Sequence, residues 1–183
     1  MVRILTCLLL ALSIVAWLPG LAQARAQRAA GHATPRPPSA NAPKRIGKWE
    51  DWQAATHQEA GQIVCYAFAR AASSSPALPG RGDVVLTVTE RSGGRDAVAL
   101  SAGFAYGANA EVEMSSEGVT LPFYTAGRSA FARDGRSAVG MFGRGRQAQA
   151  RSPGPRGQAV TDVFSLRGFT PAYAAITKAC PGR

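Results

Sequence analysis

From Lys48 onward the apolar residues recur at every second position, a period that strands satisfy and helices do not. Gln62–Arg70 puts Ile63, Cys65, Ala67 and Ala69 on one face and Val64, Tyr66 and Phe68 on the other, so both faces suit a central strand. Asp83–Glu90 alternates Val84, Leu86 and Val88 with Val85, Thr87 and Thr89. Ser92-Gly93-Gly94 then turns the chain, and Asp96–Phe104 returns with Val98, Leu100 and Ala102 on one face. Further strands are expected at Trp49–Thr56, Ala110–Ser115, Val119–Thr125 and Ala159–Leu166, with loops at Ala71–Gly82 and Arg151–Gly157. Residues 127–142 hold a short echo, GRSAFARD then GRSAVGMF, joined at Asp134-Gly135. That dipeptide predicts a hairpin, although Arg133 would then face Arg136, a like-charge pair that opposes the simple register. A helix is expected over Pro171–Ala179, with Thr170 as N-cap and Pro171 at the first helical position. Ala172, Ala175, Ile176 and Ala179 would be its packing face, and Lys178 would lie near the negative end of its dipole. About eight short strands closed by one helix predict a mainly β fold, a β-sandwich.

Residues 1–26 have the three-part layout of a secretory signal peptide: Arg3, the apolar run Cys7–Leu21, and A-x-A cleavage sites ending at Ala24 or Ala26. The run carries a Pro19-Gly20 break and falls short of the roughly 20 apolar residues that span a bilayer. The chain is therefore expected in the periplasm or secreted, with no transmembrane segment after cleavage. Residues 27–47 hold four prolines, no acid and one large apolar residue, Ile46, and read as a disordered basic linker. The folded domain is then 48–183. Without residues 1–26 two cysteines remain, Cys65 and Cys180, and in an oxidising compartment they most simply pair with each other. A reactive or metal-binding thiol pair would call for C-x-x-C spacing or nearby histidines, and the sequence has neither.

No metal or cofactor motif stands out, and the run Gly143-Arg144-Gly145-Arg146 lacks the ending of a phosphate loop. No catalytic set is assigned. The rival enzymatic reading is a hydrolase built on His57, the one histidine of the domain, with a Ser or Asp distant in sequence. Arg81-Gly82-Asp83 spells a tripeptide that integrin receptors recognise, and adhesion through it is a further alternative requiring an exposed loop tip. Glu111 and Glu113 would share one solvated strand face. The densest charge feature is basic: Arg128, Arg133, Arg136, Arg144, Arg146, Arg151 and Arg156 stand against a single acid, Asp134. Convergent arginines pair with phosphate or carboxylate groups. The expected partner is an anionic envelope component or an envelope or host protein. Nucleic acid is disfavoured because an exported protein more readily meets lipid headgroups, lipopolysaccharide or cell-surface polysaccharide.

Several of these residues resemble the invasion-associated locus B family of exported bacterial proteins. The matching features are Trp49 or Trp52, Val64-Cys65-Tyr66, Gly127 with Phe131, Thr161-Asp162-Val163-Phe164-Ser165-Leu166-Arg167-Gly168-Phe169, and the closing Ala179-Cys180. The resemblance covers about residues 48–180 and implies an immunoglobulin-like β-sandwich, export, and a name derived from host-cell entry. It implies no catalytic residues. Many members carry a further cysteine soon after the first tryptophan. Trp52–Thr56 has none, which leaves Cys65–Cys180 as the one bridge to expect.

Overall fold

The structure is a computed structural model that describes residues 42–182. The expected signal peptide and most of the expected linker lie outside the described residues. The strands are β1 (Lys44–Trp49), β2 (Trp52–Glu59), β3 (Gln62–Arg70), β4 (Ser73–Ser75), β5 (Val85–Arg91), β6 (Gly94–Ser101), β7 (Glu111–Ser116), β8 (Val119–Ala126), β9 (Ser129–Ala132), β10 (Gln147–Pro153) and β11 (Ala159–Ser165). The helices are α1 (Gly135–Arg144) and α2 (Phe169–Ala179). All pairings are antiparallel and form one eleven-stranded ladder in the order β1-β2-β3-β5-β6-β9-β8-β7-β10-β11-β4.

The ladder coils until elements near its two ends meet. Trp52 in β2 donates from Nε1 to the Ser165 carbonyl of β11 at 2.9 Å, and Ala72 N donates to the Val163 carbonyl at 2.7 Å. One apolar core results, drawn from the inner faces of β2, β3, β5–β11 and from both helices. At its centre the buried Phe169 of α2 meets Trp52 edge-on at 4.9 Å and Phe142 of α1 at 5.6 Å. The mainly β class and the C-terminal helix are as the sequence predicts. The strand count is eleven instead of about eight, and the layers are parts of one continuous sheet.

Four local expectations need correction. The linker reading 27–47 overruns the fold: β1 already begins at Lys44, because Lys44–Gly47 pair with Ala54–Thr56 of β2 across a bulge. The expected hairpin at Asp134-Gly135 is a helix start. Asp134 caps α1, its Oδ1 accepting from Ser137 N at 3.0 Å, and this hydrogen bonding holds its carboxyl below the usual range. Gly135 is required there because a Cβ would collide with the Asp96 carbonyl oxygen. The two halves of the echo thus take different structures: Ser129–Ala132 is β9 and Gly135–Arg144 is α1.

The expected loop at Arg151–Gly157 is partly strand β10, whose inward residues Ala148, Ala150 and Ser152 are too small to announce themselves by hydropathy. Finally, α2 starts two residues before Pro171. Its N-cap is Gly168 in the left-handed region (φ 86°), and Thr170 makes no cap. A Cβ at Gly168 would run into the Trp49 carbonyl, so glycine is fixed there by both conformation and contact. Of the expected packing face, Ala172 and Ile176 are buried, Ala175 is half-buried and Ala179 is exposed.

Candidate functional site

Cys65 sits inside β3 and Cys180 caps the end of α2, and the two are bonded, with Cα atoms 5.9 Å apart. The bridge fastens the last helix to a central strand. Beside it lies a polar cluster that the sequence reading missed. Glu90 is paired with Cys65 across the β3–β5 ladder and is fully buried. Its Oε2 lies 2.7 Å from Arg95 Nε, and its Oε1 accepts from Asp96 N at 3.3 Å. Arg95 Nη1 also donates to the Cys180 carbonyl at 2.5 Å, and Tyr173 donates its hydroxyl to Asp96 at 2.5 Å. The signal was present in the alternation, since Glu90 continues the buried face of Leu86 and Val88.

Burial pushes the Glu90 carboxyl up to about 7, with Asp96 adding to the rise and Arg95 opposing it. The folded protein therefore holds this proton more tightly than the unfolded chain. Stability from Glu90 is full below about pH 4.5 and is lost as pH rises through about 7. The loss is on the order of 2–3 kcal/mol. Urea unfolding at pH 5 and pH 8 should show this decline, and Glu90→Gln should flatten it. An equal slope in both proteins would refute the assignment.

A second buried ion pair decides one of the alternatives. Arg81 and Asp162 have side chains 6% and 0% exposed and meet in two parallel hydrogen bonds of 2.7 Å each. Ser74 Oγ donates to Asp162 at 2.7 Å, Arg81 Nε donates to the Ala102 carbonyl at 2.7 Å, and the guanidinium lies over the Phe104 ring at 4.9 Å. Arg81 is thus turned inward and saturated while Asp83 is exposed and paired with Arg70. The Arg81-Gly82-Asp83 tripeptide cannot offer both charges to a receptor, and the adhesin reading is withdrawn.

His57 lies half-buried on β2 with its ring edge-on to Tyr66 at 5.4 Å. Among the described residues no hydroxyl or carboxylate hydrogen-bonds to it. The hydrolase alternative therefore has no geometric support.

All seven arginines of the basic segment are exposed, but they do not form one patch. Arg136 and Arg144 lie eight residues apart on α1, hence on one side of it, and Arg146 follows directly. Arg133 and Arg151 lie on the outer face of the sheet, separated by carboxylates: Arg133 pairs with Glu111 at 2.9 Å, and Arg151 sits opposite Glu113. Glu111 and Glu113 do share that solvated face. Arg128 is in the β8–β9 turn, donating to the Gly103 carbonyl at 2.6 Å, and Arg156 is in the β10–β11 turn. The side chains of Arg136, Arg144, Arg146, Arg151 and Arg156 make no ion pair among the described residues.

No helix among the described residues is long and apolar enough to cross a membrane. No group of three or more His, Cys, Asp or Glu residues that could hold a metal occurs among them either. Comparison with curated protein sequences gives no match. A solved structure, invasion associated protein B from Bartonella henselae, shares the fold with a TM-score of 0.55 at 14% identity, over 73% of this chain and 95% of that one. The family model described as Invasion associated locus B (IalB) protein matches residues 52–177, from the core tryptophan through the Asp162–Phe169 stretch and nearly all of α2. The chain belongs to the invasion-associated locus B family.

Proposed function

We propose that this protein is an exported, envelope-associated binding protein without catalytic activity, linked to host-cell contact. It engages an anionic surface, or an acidic envelope or host protein, through the arginines of residues 128–156. The observation that carries this reading is the distribution of charge. That segment sets seven arginines against one acid, while the rest of residues 42–182 has nearly equal numbers of acids and bases. The strongest part is the end of α1, where Arg144 and Arg146 project to solvent without ion pairs and Arg136 lies on the same side. The family name and the Bartonella neighbour support a role at the cell surface.

The test is binding to vesicles containing phosphatidylglycerol, and separately to lipopolysaccharide, at low and high salt. Each arginine near an anionic surface contributes about 1 kcal/mol. Replacing Arg136, Arg144 and Arg146 together with Ser should weaken binding roughly a hundredfold. High salt should do the same to the unaltered protein. Binding indifferent to both would rule the surface out.

A further inference from the structure

The outward residues of β8, β7, β10 and β11 line up in cross-strand rows. One row reads Pro122, Glu113, Arg151 and Thr161, and the next reads Thr120, Ser115, Gln149 and Val163. The surface they make is grooved. A groove of about 330 Å³ lies where β7 and β10 part, because their pairing stops at Glu113–Arg151 although the strands extend to Glu111 and Pro153. A second groove, of about 420 Å³, continues it past Thr120 and Gln149 and shares Glu113 and Arg151 with it. Together they follow β7 from Glu111 to Ser115, about 14 Å. Volumes of this order are usual for small-ligand sites.

The chemistry of the groove narrows its occupant. Glu111 and Glu113 are balanced by Arg133 and Arg151, so neither an anion nor a cation is favoured. Arg133 holds Glu111 at 2.9 Å. The side chains of Glu113, Gln149 and Arg151 are exposed and make no hydrogen bond or ion pair among the described residues. A carboxylate, an amide and a guanidinium are flat, two-pronged groups: the first accepts, the last donates and the amide does both. Adjacent hydroxyls on a ring match such forks, since each can donate and accept. Pro122 and Pro153 add rigid apolar ledges against which C–H faces can lie. Ser152 also lines the groove. It is 2% exposed, and its Oγ has no hydrogen-bond partner. A ligand hydroxyl that reached it would remove the cost of that unsatisfied group.

We propose that this groove binds a neutral oligosaccharide, with Glu113, Gln149 and Arg151 as its hydrogen-bonding forks. Glu113 accepts from one pair of neighbouring hydroxyls, Arg151 donates to the oxygens of another, and Gln149 serves either way. A phosphate or acidic headgroup would instead meet repulsion from Glu111 and Glu113. The site therefore differs in ligand from the arginines at the end of α1, and it does not depend on them.

The experiment is two-dimensional NMR of the isotope-labelled protein, titrated with neutral hexasaccharides of glucose, mannose, galactose and N-acetylglucosamine. At least one should shift the amides of Glu113, Gln149 and Arg151 and leave those of α1 in place. Its affinity should be the same at low and high salt, unlike binding to anionic vesicles. Glu113→Ala and Arg151→Ala, both at exposed positions outside the core, should each weaken it about tenfold or more. Replacing Arg136, Arg144 and Arg146 with Ser should leave it unchanged. Failure of all four sugars to shift the groove amides would overturn the proposal. So would shifts of those amides caused by lipopolysaccharide and erased by salt, which would make the groove part of an anionic-surface site.

Discussion

Replacing Cys65 and Cys180 with Ser should lower the stability of the folded chain by about 4–5 kcal/mol, the chain-entropy value for so long a closed segment. The bridge spans 115 residues, so its loss frees almost the whole fold in the unfolded state. At a few degrees per kcal/mol, the midpoint of thermal unfolding should fall by roughly 10–20 °C. Both sulfurs are shielded, the two cysteines being 0% and 7% exposed, so a thiol reductant should act slowly on the native protein and fast in urea. Urea unfolding of the oxidised protein against the double serine variant measures the effect. A difference below about 1 kcal/mol would mean that Arg95 and the core contacts of α2 hold the helix without the bridge.

The second large effect lies at Asp162. Asp162→Ala strands a guanidinium that is 6% exposed, and removing one partner of such a pair costs about 3–5 kcal/mol. The double variant Arg81→Met/Asp162→Leu should recover more than half of that loss, because no unpaired charge is then left inside. Urea unfolding of the single and double variants separates the two contributions. Equal losses in both would place the cost in packing, with the ion pair contributing little.

Much of the fold could be read because the informative residues are large and alternate. Gln62–Arg70 and its neighbours followed from period two alone, and the bridge followed from the two cysteines left once residues 1–26 are read as a leader. What could not be read depended on distant partners. GRSAFA becomes a strand and GRSAVG a helix because Asp134 caps the second copy and Phe131 finds Ala99 beside the first. Strand β10 hid behind alanines, whose burial is set by neighbours and not by their own hydropathy. Asp162 appeared in the sequence only as part of a family resemblance. The structure gives its physical reason, a carboxylate that satisfies Arg81 eighty-one positions earlier. The arginine segment was visible as charge, but its division between helix, sheet face and turns depended on topology.

The two ends of the ladder differ from its middle. On one side it stops at β4, three serines long, and on the other at β1, which carries Lys44, Arg45 and Lys48 and breaks its register between Arg45 and Gly47. A strand arriving from a neighbouring molecule would find a stub too short to template it, or a bent rim that repels it by charge. Protection against edge-to-edge pairing therefore rests on the nine residues of β1 and β4 at the margins and not on the core.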